Sequence, residues 1–249
     1  MPIPCRICGS LANPYYRIPM TRVEFAKEME FYLCSRCGFC FAPSLDHVDK
    51  AAFYGPGYNT YDFACGRRGE REANIARWAT DNWGNGGKRA LSIGDSSGTG
   101  LAALGSVGFD AWSADFGATG ERRLDLNLDI PAENYFDVIT LIEVAEHFTE
   151  PLVDFTRYGR LLAPGGVLCG TTGCRDFAEI CRDSQPNERW WYCNTKCCDC
   201  GHVSLYSLAS MMIVAEAVGL RLRVHERRVE LTTYMGQSQM VFYMIKETA

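Results

Sequence analysis

A chain of 249 residues, 47% hydrophobic and 22% charged, can build one large α/β domain with a small appendage. Its formal net charge of -5 leaves no basic footprint for nucleic acid, so a small-molecule or protein substrate is the expected partner. No stretch approaches the roughly 20 apolar residues of a membrane span, and MPIPCRICGS lacks the regions of a signal peptide. The expectation is a cytoplasmic protein with no membrane partner; oligomeric state has no signature here.

Three stretches follow in order. Residues 1–45 are rich in cysteine and carry no helical period, 46–68 read as an aromatic, glycine-rich linker, and 69–249 alternate strands with helices. In REANIARWATDNW the apolar residues Ala73, Ile75, Ala76, Trp78 and Ala79 predict an amphipathic helix. Arg89 to Ile93 predicts a strand, then a glycine turn and a helix over Leu101 to Val107 closed by Gly108. Phe109 to Ala114 and Arg123 to Asn127 are the next strands, and FDVITLIEV over Phe136 to Val144 suits a strand buried on both faces. Pro151 opens a helix that ends before Ala163-Pro-Gly-Gly166, and Val167 to Thr171 is the fifth strand. After an irregular insertion over 173–204, Tyr206 to Val218 predicts a helix, and Leu220 to His225 and Met240 to Ile245 complete seven strands. The pattern predicts a Rossmann-like, doubly wound, mainly parallel seven-stranded sheet.

Ala90-Leu-Ser-Ile-Gly-Asp-Ser-Ser-Gly-Thr-Gly100 carries a strand into a glycine turn and a helix, where backbone can approach a ligand and helical N–H groups are unpaired. A dinucleotide fingerprint from Gly94 would need glycine at Ser96 and Thr99, which disfavours an NAD(P)-dependent oxidoreductase. No Gly-Lys-Ser/Thr follows for phosphate-loop chemistry. Asp115 lies 21 residues beyond Gly94, at the expected end of the second strand, where a carboxylate can accept from both ribose hydroxyls. Gly94, Asp95, Ser96, Gly98 and Asp115 are therefore candidate cofactor contacts.

With these residues the chain resembles class I S-adenosylmethionine-dependent methyltransferases. Aligned on Gly94 and Gly98, it has Ser92 for the family's usual acidic residue and Ser96 for the middle glycine. The resemblance continues through Leu128-Asp-Ile-Pro131, Phe136-Asp-Val-Ile139, Glu143-Val-Ala-Glu-His147, Leu161-Leu-Ala-Pro-Gly-Gly166 and His202-Val-Ser-Leu-Tyr-Ser207, covering residues 70–249. It implies that Asp125, Leu126 and Asn127 border an adenine and that Glu143 contacts the methionine part of S-adenosylmethionine. Glu143-x-x-Glu146-His147 also resembles the magnesium constellation of ubiquinone-biosynthesis O-methyltransferases, although many family members carry such a Glu-His pair without a metal.

The chain has 13 cysteines. Cys5-x-x-Cys8 and Cys34-x-x-Cys37 form two knuckles separated by 25 residues, the donor set of a closed, structural four-thiolate zinc site. Cys40 adds a CxxC overlap with Cys37. A zinc ribbon before such a domain resembles a subgroup that includes sugar C-methyltransferases, whose further C-terminal domain this chain is too short to contain. Cys193, Cys197, Cys198, Cys200 and His202 fit a second zinc site or an ordinary cysteine-rich loop; the radical-SAM spacing they share belongs to a different fold.

Methyl transfer is an in-line displacement that needs alignment above all, with a base only where the acceptor loses a proton. His202 is the first candidate base and His147 the second. Tyr54, Tyr58 and Tyr61 are in reach of the cofactor or pack in the core, and Trp190, Trp191 and Tyr192 suit a lid. The expected function is methyl transfer to a small molecule, a sugar or secondary metabolite. The competing reading is a non-catalytic interaction protein whose ribbon binds a partner.

Overall fold

The computed structural model describes residues 1–54, 65–128, 133–173, 201–224 and 239–248. Tyr58, Tyr61, Trp190, Trp191, Tyr192 and Cys193, Cys197, Cys198 and Cys200 lie outside them.

The N-terminal part is a small antiparallel sheet of β1 (Ile3–Pro4), β2 (Leu11–Pro19), β3 (Glu28–Cys34) and β4 (Cys40–Phe41). Its fifth strand, β10 (Ser204–Leu205), arrives from far along the chain and pairs with β4. The cysteine-rich segment thus extends beyond residues 1–45 in space. A 3-10 turn (Pro43–Leu45) and the short helix α1 (Lys50–Phe53) follow within the stretch read as linker.

The large sheet has the order β11-β12-β9-β8-β5-β6-β7. β5 (Arg89–Ile93), β6 (Asp110–Asp115), β7 (Arg123–Asp125), β8 (Phe136–Ile142) and β9 (Leu162–Gly173) are parallel; β12 (Gln239–Ile245) runs antiparallel between β9 and β11 (Arg221–Val224). The seven-stranded, mainly parallel expectation holds. All seven residues of β8 are buried, as a continuous apolar run between two helical layers requires.

Helix α2 (Cys65–Trp83) starts six residues before the predicted REANIARWATDNW stretch and buries Glu72, Ala73, Ile75, Ala76 and Ala79 along one face. α3 (Thr99–Ser106) follows the glycine turn, and α4 (Pro151–Leu161) opens on proline, whose missing N–H costs nothing at a helix start. α5 (Leu208–Ala217) begins two residues later than expected because the Ser207 side chain accepts from Ser210 N in a capping box. The chain steps from β5 outward to β6 and β7, then returns to β8 on the other side of β5. That reversal opens a crevice at the C-terminal strand ends.

Candidate functional site

The crevice holds a cavity of about 520 Å³, lined by Asp115, Phe116, Leu126, Tyr54, Glu143 and His147, with the Tyr54 ring stacked on Phe116 at 6.1 Å between centroids. That volume lies within the roughly 300–1,000 Å³ usual for cofactor and substrate sites. Gly94 (φ 70°) and Gly98 (φ 75°) occupy the left-handed region, and a side chain at Gly94 would meet Val144 at 2.7 Å. Gly94 and Ser96 line the cavity; Gly98 is the N-cap of α3.

Asp95 is fully buried and accepts from Leu101 N at 2.9 Å, so its carboxylate faces the start of α3. Asp115 sits on the cavity wall, with Phe116 N donating to Oδ1 at 2.7 Å; burial pushes its carboxyl above the usual range, against that bond. Asp125 accepts from Gly117 N at 2.8 Å and from Asn127 N and Nδ2 at 2.9 Å, which ties the turns after β6 and β7 together. Leu126 alone of Asp125, Leu126 and Asn127 lines the cavity.

The sequence reading missed three charged residues here. Arg68 lines the cavity, donates to the Ile93 carbonyl at 3.3 Å and lies 3.8 Å from Glu72 Oε2. Glu72 is fully buried, accepts from the Thr140 hydroxyl, and with Ser92 crowds Gly100, where a Cβ would strike both side chains. A carboxylate from α2 thus occupies the space beneath the glycine loop next to Ser92. Arg123 donates to the carbonyls of Asp95 at 3.1 Å and Ser96 at 2.7 Å, riveting that loop to β7. An i,i+4 Arg-Glu pair reads as a solvated helix face, which is why the sequence hid it.

After β8, Glu143 adopts φ 56° and accepts from the Thr171 hydroxyl at 2.6 Å. Glu146 is fully buried; burial first and the Glu143 carboxylate second push its carboxyl well above the usual range. His147 Nδ1 lies 3.2 Å from both the Gly201 carbonyl and the Tyr54 hydroxyl. The carbonyl only accepts, so Nδ1 carries the proton and Nε2 the lone pair. Burial, then His202, push His147 down to about 3, keeping the ring neutral. His202 is buried with its ring centroid 4.9 Å from that of His147, which alone of the two lines the cavity. The structure therefore reverses the expected access of the two candidate bases. The donor atoms that converge are those of Glu146, His147 and His202. Glu143, expected among them in the magnesium constellation, lies against Glu146 and accepts from Thr171, but is not one of the three converging donors.

In the small sheet, Cys5 and Cys37 Sγ are 3.6 Å apart and Cys8 and Cys34 Sγ 3.5 Å, and all four lie within 4.8 Å of one another. Four Zn–S bonds of ~2.3 Å in a tetrahedron place sulfurs about 3.8 Å apart, so the four thiolates fit zinc. The knuckles match: Gly9 N donates to Cys5 O and Gly38 N to Cys34 O, both at 2.9 Å. The Cys37 thiol beside Cys5 pulls Cys5 down to about 5, while Cys5 and burial push Cys37 up. Cys40 is fully buried outside this group, and burial pushes its thiol up.

The methyltransferase-domain family matches residues 66–225. No curated protein matches the chain. Among solved structures, the plantazolicin methyltransferase BpumL in complex with SAH is 12% identical, with a TM-score of 0.54 over 79% of this chain and 93% of that one. The YcgJ protein from Bacillus subtilis is 15% identical, with a TM-score of 0.51 over 72% and 99%. The CurJ carbon methyltransferase is 16% identical, with a TM-score of 0.47 over 71% of this chain and 54% of its own. Among the described residues no helix is long and apolar enough to cross a membrane. With the glycine loop, the cleft and the cysteine centre in place, the chain belongs to the methyltransferase-domain family, as a class I S-adenosylmethionine-dependent methyltransferase carrying an N-terminal ribbon.

Proposed function

We propose that the chain transfers a methyl group from S-adenosylmethionine to a small-molecule acceptor of the sugar or secondary-metabolite class. The observation that carries this reading is that Asp115, Arg68, Glu143 and His147 all line one cavity beside the glycine loop.

Asp115 would accept from the ribose hydroxyls, with Phe116 and Leu126 bracketing the adenine. Arg68 would meet the methionine carboxylate, and Gly94 and Glu143 border the same end. The cofactor supplies an electrophilic methyl group on a positively charged sulfur. Tyr54 and His147 orient the acceptor, and Nε2 of His147 takes its proton where the reacting atom carries one. Alignment of the two reactants supplies most of the rate enhancement. BpumL, whose name gives it a natural-product substrate, supports the acceptor class.

Zinc would be held by Cys5, Cys8, Cys34 and Cys37 and acts structurally, since four thiolates leave no open position. The division into a ribbon over 1–45, a linker over 46–68 and a methyltransferase domain over 69–249 belongs to the same proposal. So does a cytoplasmic location, which the reduced cysteine centre suits.

Calorimetry on the zinc-loaded protein is the test. S-adenosylmethionine should bind and NAD should not, and an acceptor panel of sugar nucleotides and heterocyclic metabolites should give turnover. Folded protein that fails to bind S-adenosylmethionine refutes the assignment.

A further inference from the structure

We propose that Glu146, His147 and His202 form a second metal site, for a divalent first-row transition ion at the acceptor end of the cleft. One carboxylate oxygen and two imidazole nitrogens from these residues lie within 4.8 Å of one another.

Three observations mark them as donors. Glu146 is fully buried, its Oε2 accepts from the Thr172 hydroxyl at 2.8 Å, and the Glu143 carboxyl lies against it, so two carboxyl groups share a site that only a proton or a cation can reconcile. The His147 Nδ1–H points at the Gly201 carbonyl, which directs the Nε2 lone pair the other way. A backbone carbonyl on the far nitrogen is the usual way a ligating imidazole is oriented. Finally, His202 is held from both sides: the next residue, Val203, donates its N–H to the Glu146 carbonyl and accepts from Ala42 N, each at 2.9 Å.

The donor set decides the ion. Two nitrogens and one oxygen suit zinc, cobalt, manganese or iron, whereas magnesium and calcium take oxygen ligands. Two bonds of ~2.1 Å span at most about 4.2 Å, so binding would draw the more separated donors inward. Three protein ligands leave a position open, and of the three His147 lines the cavity. There an ion would polarise an acceptor oxygen and ease its deprotonation. That role would replace proton removal by His147 Nε2, whose lone pair the ion takes, and it rests on the methyl-transfer reading; the binding site does not.

The test is a Co²⁺ titration of full-length protein whose ribbon already holds zinc, with S-adenosylmethionine affinity measured on the same samples. One further equivalent should bind without a thiolate charge-transfer band. It should be lost in His202→Asn and Glu146→Gln and kept in a Cys197→Ser/Cys200→Ser variant, with thermal melts showing which variants fold. Where Glu146→Gln fails to fold, His147→Asn replaces it. No second equivalent in folded wild type overturns the site. So does a thiolate band abolished by the double serine variant, which moves the ion to the cysteine-rich segment. Cobalt binding with no cofactor affinity would instead refute the methyl-transfer reading and leave the metal site standing.

Discussion

Arg6, inside the first cysteine knuckle, donates to the Thr149 carbonyl at 2.6 Å, two residues beyond His147. The same guanidinium pairs with Asp46 and lies 4.9 Å from the Phe41 ring centroid. Ser207 Oγ adds a bond to the Cys37 carbonyl at 2.5 Å, and Cys5, Cys34 and Cys37 share one apolar core with Phe155 and Tyr206. The knuckles are therefore part of the wall behind the cleft.

Removing zinc should lower both the melting temperature and the affinity for S-adenosylmethionine, because folding of such sites is coupled to the metal. Arg6→Met should keep about one zinc per chain yet lose about 1 kcal/mol of stability, since it removes the donor to the half-buried Thr149 carbonyl. Zinc analysis with thermal melts checks both. An unchanged melt after complete zinc removal would contradict the coupling.

Asp115→Ala should weaken S-adenosylmethionine binding by about 2–4 kcal/mol, roughly 30- to 1,000-fold in Kd, by deleting two charge-assisted hydrogen bonds. Burial raises the Asp115 carboxyl, so wild-type affinity should begin to fall at a higher pH than an exposed aspartate would give. Calorimetry across the acid range reads this directly, and an alanine variant of wild-type affinity rules out the ribose role.

Arg68 makes a sharper prediction, because its proposed partner is one functional group of the cofactor. Arg68→Gln should weaken S-adenosylmethionine about tenfold or more, as expected for one charge-assisted contact. Affinity for 5′-methylthioadenosine, which lacks the carboxylate, should hardly change. Equal loss for both ligands would mean that the arginine acts on the glycine loop instead.

Asp137 carries an acid-stability prediction. Burial pushes its carboxyl up, but bonds from Arg89 N, Nε and Nη2 and from Asn85, each 3.0 Å, hold it below the usual range. Its folded-state pKa is thus below the unfolded one, so its contribution is full above about pH 4 and disappears as pH falls through the folded value. Asp137→Asn should cost about 1–3 kcal/mol at pH 7 and less in acid. Denaturant melts at several pH values test it; a cost that grows in acid would reverse the sign.

The sheet was legible because β8 and β9 are apolar on both faces and because glycine and proline punctuate the helices. Those are local patterns, and they survive in one dimension. The glycine loop was equally legible, since Gly94 and Gly98 are demanded by backbone conformation alone. Asp95 shows the limit of motif spacing. It stands in the loop, yet its carboxylate faces Leu101 N, because a helix start needs an acceptor there.

By itself, then, the sequence determined the strand-and-helix alternation, the glycine loop with Asp115 on the following strand and the two cysteine knuckles. Each depends on period or spacing along the chain. Only the tertiary structure decided that β10 completes the small sheet, that Glu72 lies beneath Gly100 beside Ser92, and that His202 packs on His147. Those pairings join residues far apart in sequence, through contacts whose energy depends on burial rather than on order. The glycine-loop wall of the cavity is therefore written largely in the chain, while the surroundings of His147 exist only once the small sheet has closed against them.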